Sequence, residues 1–185
     1  MKAIPAVSFS HVGLYVRDMA AMERFYTGFL GFAVTDRGNL GPVRLVFLSR
    51  DPRDHHQIVL ASGRPEEARF SVINQVSLRV DDLAALRYFR DHAAAHGAGD
   101  VQPVTHGNAL SVYLRDPELN RLELFLDTPW YVTQPLREPL DLSLPDEEIW
   151  RRAEAQARAL PGFRPVGDWQ REFAAKIAGS KGNRP

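Results

Sequence analysis

The 185-residue chain contains no cysteine. Disulfides and thiolate-bound zinc are therefore excluded, and any metal must be held by imidazole, carboxylate or amide groups. Neither sign of charge is in excess, with 23 Lys and Arg against 23 Asp and Glu. That argues against a nucleic-acid partner, and no sustained acidic block marks a solvated tail. No apolar run approaches membrane-spanning length, so no membrane partner is expected. The opening residues 1–7 (MKAIPAV) lack the apolar core of a signal peptide. A cytoplasmic protein is expected, long enough for one domain or for two small halves sharing a core.

What the chain does have is an internal repeat. A shift of 64 residues superimposes residues 11–25 (HVGLYVRDMAAMERF) on residues 75–89 (QVSLRVDDLAALRYF), with seven of the fifteen positions identical. Two copies indicate a duplicated module rather than a solenoid. Each copy opens with a period-two strand, Val12, Leu14 and Val16 in the first and Val76, Leu78 and Val80 in the second. Each strand leads to a carboxylate suited to capping a helix, Asp18 or Asp82. The helices that follow carry apolar residues at helical spacing and stop near Gly31 and Gly97. Short strands come next, at 43–48 and 57–61 in the first copy and at 110–114 and 121–126 in the second. A weaker strand precedes each pair, near 32–36 and 101–104.

The expected fold class is therefore α+β: two tandem βαβββ modules, residues 8–62 and 72–127, forming an open barrel-like trough. Residues 128–185 form a separate C-terminal arm with short helices. One helix is expected from Pro145 to about residue 160, its positive end matched by Asp146, Glu147 and Glu148. A second is expected near 167–178, followed by a disordered tail over 180–185.

Residues 106–123 (HGNALSVYLRDPELNRLE) hold an imidazole, a tyrosine on an apolar strand, a turn, and a carboxylate on the returning strand. Glu123 lies between Leu122 and Leu124, and a carboxylate in apolar surroundings needs a partner. This stretch resembles the signature of the type I extradiol ring-cleavage dioxygenases, within the vicinal oxygen chelate superfamily of glyoxalases, bleomycin-resistance proteins and dioxygenases. One position departs from it: Leu119 stands where that pattern has Gly or Pro. The pair His55-His56 is similar to a His-His pair of the same family. His92 and His96 share ligand-like spacing, but three alanines separate them and no glutamate accompanies them; they are read as surface residues.

The resemblance implies a metal held by His11, Gln75 and Glu123, with His56 as the acid–base group and His106 and Tyr113 orienting the substrate. It implies Fe(II) first, with Mn(II), Ni(II) or Zn(II) as other candidates, and a catechol-type aromatic substrate cleaved with O2. Gln75 replaces an imidazole in that ligand set, which favours two alternatives. One is a glyoxalase-like or fosfomycin-resistance-like metalloenzyme using Mn, Ni, Zn or Mg. The other is a metal-free small-molecule binding protein of the same fold. A homodimer or higher homo-oligomer is also implied by the resemblance. Strand periodicity leaves open whether His56 or Gln57 faces the site, because a one-residue slip reverses the face.

Overall fold

The computed structural model describes residues 5–68 and 70–182. The first module runs β1 (Val12–Val16), α1 (Met19–Arg24), a continuing π-helical turn (Phe25–Phe29), β2 (Ala33–Leu40), β3 (Val43–Ser49) and β4 (Ile58–Ser62). The second runs β5 (Val76–Arg79), α2 (Leu83–His92) with a 3-10 turn (Ala94–His96), β6 (Gly99–Thr105), β7 (Ala109–Arg115) and β8 (Arg121–Asp127). Both helices start as their carboxylates dictate. Asp18 accepts from the Ala21 amide at 2.9 Å and Asp82 from the Ala85 amide at 2.7 Å. Gly31 and Gly97 end the helical segments in left-handed conformation.

The sheets carry out the period-two pattern. The first has strand order β1-β4-β3-β2, with β1 parallel to β4. The second repeats it as β5-β8-β7-β6 and gains β10 (Glu138–Pro139) beside β6. Leu14, Val16, Val46, Leu48, Ile58 and Leu60 line the helical face of the first sheet. Leu110, Val112, Leu114, Leu122 and Leu124 line that of the second, and all belong to one buried cluster. Each fully buried leucine stabilises the fold by roughly 1.5–3 kcal/mol.

The two modules meet through their helices. Phe29 sits edge-on to Phe89 at 5.3 Å and stacks on His96 at 5.0 Å, so His96 is a junction residue rather than a surface one. Buried Glu118 locks the same junction, accepting from the amides of Arg17 (2.5 Å) and Asp18 (2.8 Å) with the Arg64 guanidinium at 3.4 Å.

The expected open barrel-like trough is not what forms. Among the described residues no sheet closes into a barrel, and the two sheets stay open and separate. Closure would require the edge strands β1 and β5 to pair. Instead the helices occupy the junction, and a cleft of about 980 Å³ lined by Val12, Ile58, Val76, Leu78 and Tyr88 separates those edges. The face of each sheet opposite its helix therefore looks away from the junction.

Beyond β8 the chain forms β9 (Trp130–Tyr131), β10, α3 (Asp146–Arg158), β11 (Arg164–Pro165) and α4 (Val166–Gly182). Pro145 precedes the first turn of α3, and Asp146, Glu147 and Glu148 fill that turn. The last helix reaches further than its sequence pattern suggested, and residues 183–185 of the expected tail lie outside the described residues. The arm is pressed onto the β6–β7 turn. A Cβ on Gly107 would collide with Val132, and the Trp130 indole donates to the Gly107 carbonyl at 2.6 Å. Among the described residues no helix is long and apolar enough to cross a membrane.

Leu119, the departure in the 106–123 motif, is exposed and has φ of +67°. A left-handed leucine is strained by roughly 1–2 kcal/mol, of which glycine's greater chain entropy returns part. Leu119→Gly is expected to raise unfolding free energy by about 0.5–1 kcal/mol in chemical denaturation. A loss of stability would show that the side chain contributes more than its backbone conformation costs.

Candidate functional site

The open face of the second sheet carries a row of polar side chains across four strands: Gln102, Tyr113, Glu123 and Ser77, aligned by strand register. At its centre is Glu123, only 7 % exposed. One carboxylate oxygen accepts from Gln75 Nε2 (2.8 Å) and Ser77 Oγ (2.6 Å). The other accepts from Ser111 Oγ (2.8 Å) and lies 3.4 Å from His106 Nε2. Burial pushes the carboxyl's pKa up, but donors at His106, Ser77, Ser111 and Tyr113 outweigh it and hold the group at about 2.

His106 is oriented from the arm. Its Nδ1–H donates to the Leu136 carbonyl at 2.6 Å, which leaves Nε2 facing Glu123 and the Tyr113 hydroxyl, the latter at 3.1 Å. The hydrogen bond to Glu123 raises the His106 pKa against the effect of burial. Burial and the Glu123 charge raise that of Tyr113.

The remaining expected residues lie on the other module. The His11 ring is 4.2 Å from that of His56, and His56 lies edge-on to Phe47 at 5.2 Å on the open face of the first sheet. His56 Nδ1 meets His55 Nδ1 at 2.9 Å, and His55 Nε2 is held by Asp36 at 2.8 Å. Burial, then the neighbouring His11 and His55, lowers the His56 pKa. Gln57 turns to its own loop, its side-chain oxygen accepting from the Arg50 amide at 3.0 Å.

Gln75, Glu123, His106 and Tyr113 are thus brought together, and so are His11 and His56, but the two groups sit on different sheets. Within one chain the set His11, Gln75 and Glu123 is not gathered, because His11 lies beside His56 on the first sheet. Gln75 presents its N–H to Glu123, and both Glu123 oxygens are already engaged. Among the described residues no group of three or more His, Asp or Glu is gathered that could hold one. Sequence reasoning missed Ser77 and Ser111. Ser111 lies two residues before Tyr113 on β7, and Ser77 lies on β5 two residues after Gln75, which just precedes that strand, so the period-two rule alone would have put each on that face.

The architecture has relatives. A family described as the Glyoxalase/Bleomycin resistance protein/Dioxygenase superfamily matches residues 8–124. The chain belongs to this superfamily. A domain of that description from Frankia sp. EAN1pec is 24 % identical, covers 67 % of this chain and 100 % of its own, and has a TM-score of 0.56. The fosfomycin resistance protein FosX of Listeria monocytogenes, solved with Mn(II) and sulfate, is 16 % identical over 67 % of this chain and 95 % of its own, with a TM-score of 0.53. UcmS2 is 24 % identical over 65 % of this chain and 98 % of its own, with a TM-score of 0.53. No curated protein matches the chain. Similarity at this level establishes the fold. The superfamily does not by itself select dioxygenase chemistry, and the ligand set expected for iron is divided between two sheets.

The two shifted groups fix a pH dependence. Glu123 has a depressed pKa, so its contribution to stability is present above the ordinary value of 4.5 and is lost as pH falls towards about 2. His106 has a raised pKa, so its contribution is complete below 6.5 and is lost as pH rises through its folded value. The pair stabilises most between those limits. Glu123→Gln is expected to flatten both limbs of the stability profile and to lower the His106 midpoint in an NMR titration. An unchanged midpoint would show that the carboxylate does not hold the imidazolium.

Proposed function

We propose that the chain acts on a small organic molecule as a glyoxalase- or fosfomycin-resistance-type member of its superfamily, at sites each built from two copies of the chain. One observation carries this reading: His11 and His56 lie on the open face of one sheet, and Gln75, Glu123, His106 and Tyr113 on that of the other. The first of these faces is apolar. Tyr15 is 63 % exposed there, beside half-buried Val43, Leu45, Phe47 and Val59. A sheet face of this composition normally lies against another layer. A second copy supplies that layer through its own second sheet, and a two-fold arrangement makes two such sites.

In that pairing His11 of the partner subunit approaches Gln75 and Glu123, the ligand set that the sequence resemblance implied. A divalent cation held there, with the Gln75 amide turned to present its oxygen and the cation replacing the Gln75 and Ser77 donors on one Glu123 oxygen, would supply Lewis acidity to a substrate oxygen. The presence of Mn(II) in the Listeria relative supports that choice of ion. This chain's own histidines divide the proton chemistry. Burial, then the neighbouring His11 and His55, lowers the pKa of His56 and favours its neutral form, and with Nδ1 turned to His55 it offers Nε2 as a base. His106 has the opposite shift and serves as the acid. The contact of His106 with Tyr113 also suits the ring-cleaving reading, and oxygen uptake with catechol and Fe(II) separates the two chemistries.

Two inactive variants test the assembly. His11→Ala and Glu123→Ala are each expected to lose stoichiometric Mn(II) binding. Refolded together, they should regain about a quarter of the wild-type sites, because half of random pairs are mixed and each mixed pair rebuilds one intact site. No recovery on mixing, with both variants folded, would contradict a site shared between copies.

A further inference from the structure

The Tyr113 ring is flanked by two guanidinium groups, Arg121 with its carbon 5.2 Å from the ring centre and Arg137 at 5.3 Å. Arg121 reaches it from β8, two residues before Glu123. Arg137 reaches it from the arm, where its Nη2 donates to Gln102 Oε1 at 2.5 Å. Among the described residues neither has a carboxylate partner. Other arginines around the second sheet do: Arg79 pairs with Asp127 at 2.6 Å, and Arg115 with Asp100 at 3.3 Å. Glu123, the acid beneath Tyr113, is buried with both oxygens engaged. Two unmatched cations therefore border the same patch of sheet as the imidazole of His106.

Stacking on an aromatic face holds a guanidinium flat and leaves its edge N–H groups free to bind. Those edges match the paired oxygens of a carboxylate or phosphonate. We propose that Arg121 and Arg137 form an oxyanion clamp around Tyr113, so that the molecule taken by this site carries a carboxylate or phosphonate group. The inference rests on the reading of this face as a small-molecule site, and it adds the substrate class. Arg137 lies outside the residues matched by the family, so the clamp is a property of this chain's own arm.

The test is an NMR titration of the full chain with benzoate, phenylphosphonate and uncharged benzyl alcohol, following the ring signals of His106 and Tyr113. Both oxyanions are expected to bind at least about tenfold more tightly than benzyl alcohol, the difference one charge-assisted hydrogen bond supplies. Arg121→Gln and Arg137→Gln should each remove most of that difference and leave benzyl alcohol binding unchanged. Both positions lie on the surface side of the sheet, and thermal unfolding verifies that the variants fold. Equal affinity for charged and uncharged probes would overturn the clamp while leaving the small-molecule site standing. So would an oxyanion preference that survives in the double variant. If no probe moves His106 or Tyr113, the small-molecule reading of this face falls and the clamp with it.

Discussion

A carboxylate is removed from water only where enough donors replace its hydration, and the second module is arranged around meeting that demand at Glu123. Gln75 comes from just before β5 and Ser77 from β5 itself, β7 supplies Ser111 and Tyr113, and the β6–β7 turn supplies His106. The arm completes the set indirectly, since the Leu136 carbonyl decides which nitrogen of His106 faces inward. Local strand alternation, the Gly107 turn and the docking of the arm all converge on one buried charge. Removing a single partner from such a cluster leaves the others without compensation.

The two modules are alike in sequence but not in what their open faces present. Val43, Leu45, Phe47 and Val59 make the first face apolar, whereas Gln102, Tyr113, Glu123 and Ser77 make the second polar. Packing helix against helix at Phe29, Phe89 and His96 turns these faces away from each other within one chain. The same packing that builds a stable junction thus leaves the histidines of one module and the carboxylate of the other apart. In the proposed pairing a second copy would cover the apolar face and join the two groups.

Much of this was legible in the residues. The repeat located β3, β4, β7 and β8 to within a residue or two, and it located both helix caps, because alternation and capping are local properties. The family resemblance, not the repeat, grouped Gln75 with Glu123, and β5 and β8 run parallel there. The barrel-like closure was misjudged because pairing between strand edges leaves no periodic trace. Phe29 and His96, which occupy the junction instead, look like ordinary helix residues. The length of α4 was underestimated because Gly179 reads as a stop yet lies inside the helix. Arg137 was beyond reach, since it comes to Tyr113 through the path of an arm that carries no repeat.

In the proposed pairing the open face of the first sheet meets the second sheet of another copy. Tyr15 projects from that face and is the natural place for a photo-cross-linking residue, applied to a mixture of isotopically light and heavy chains. The account predicts cross-linked peptides of mixed label joining position 15 to β5, β7 or β8. Cross-links confined to one chain, with the protein monomeric in solution, would contradict it.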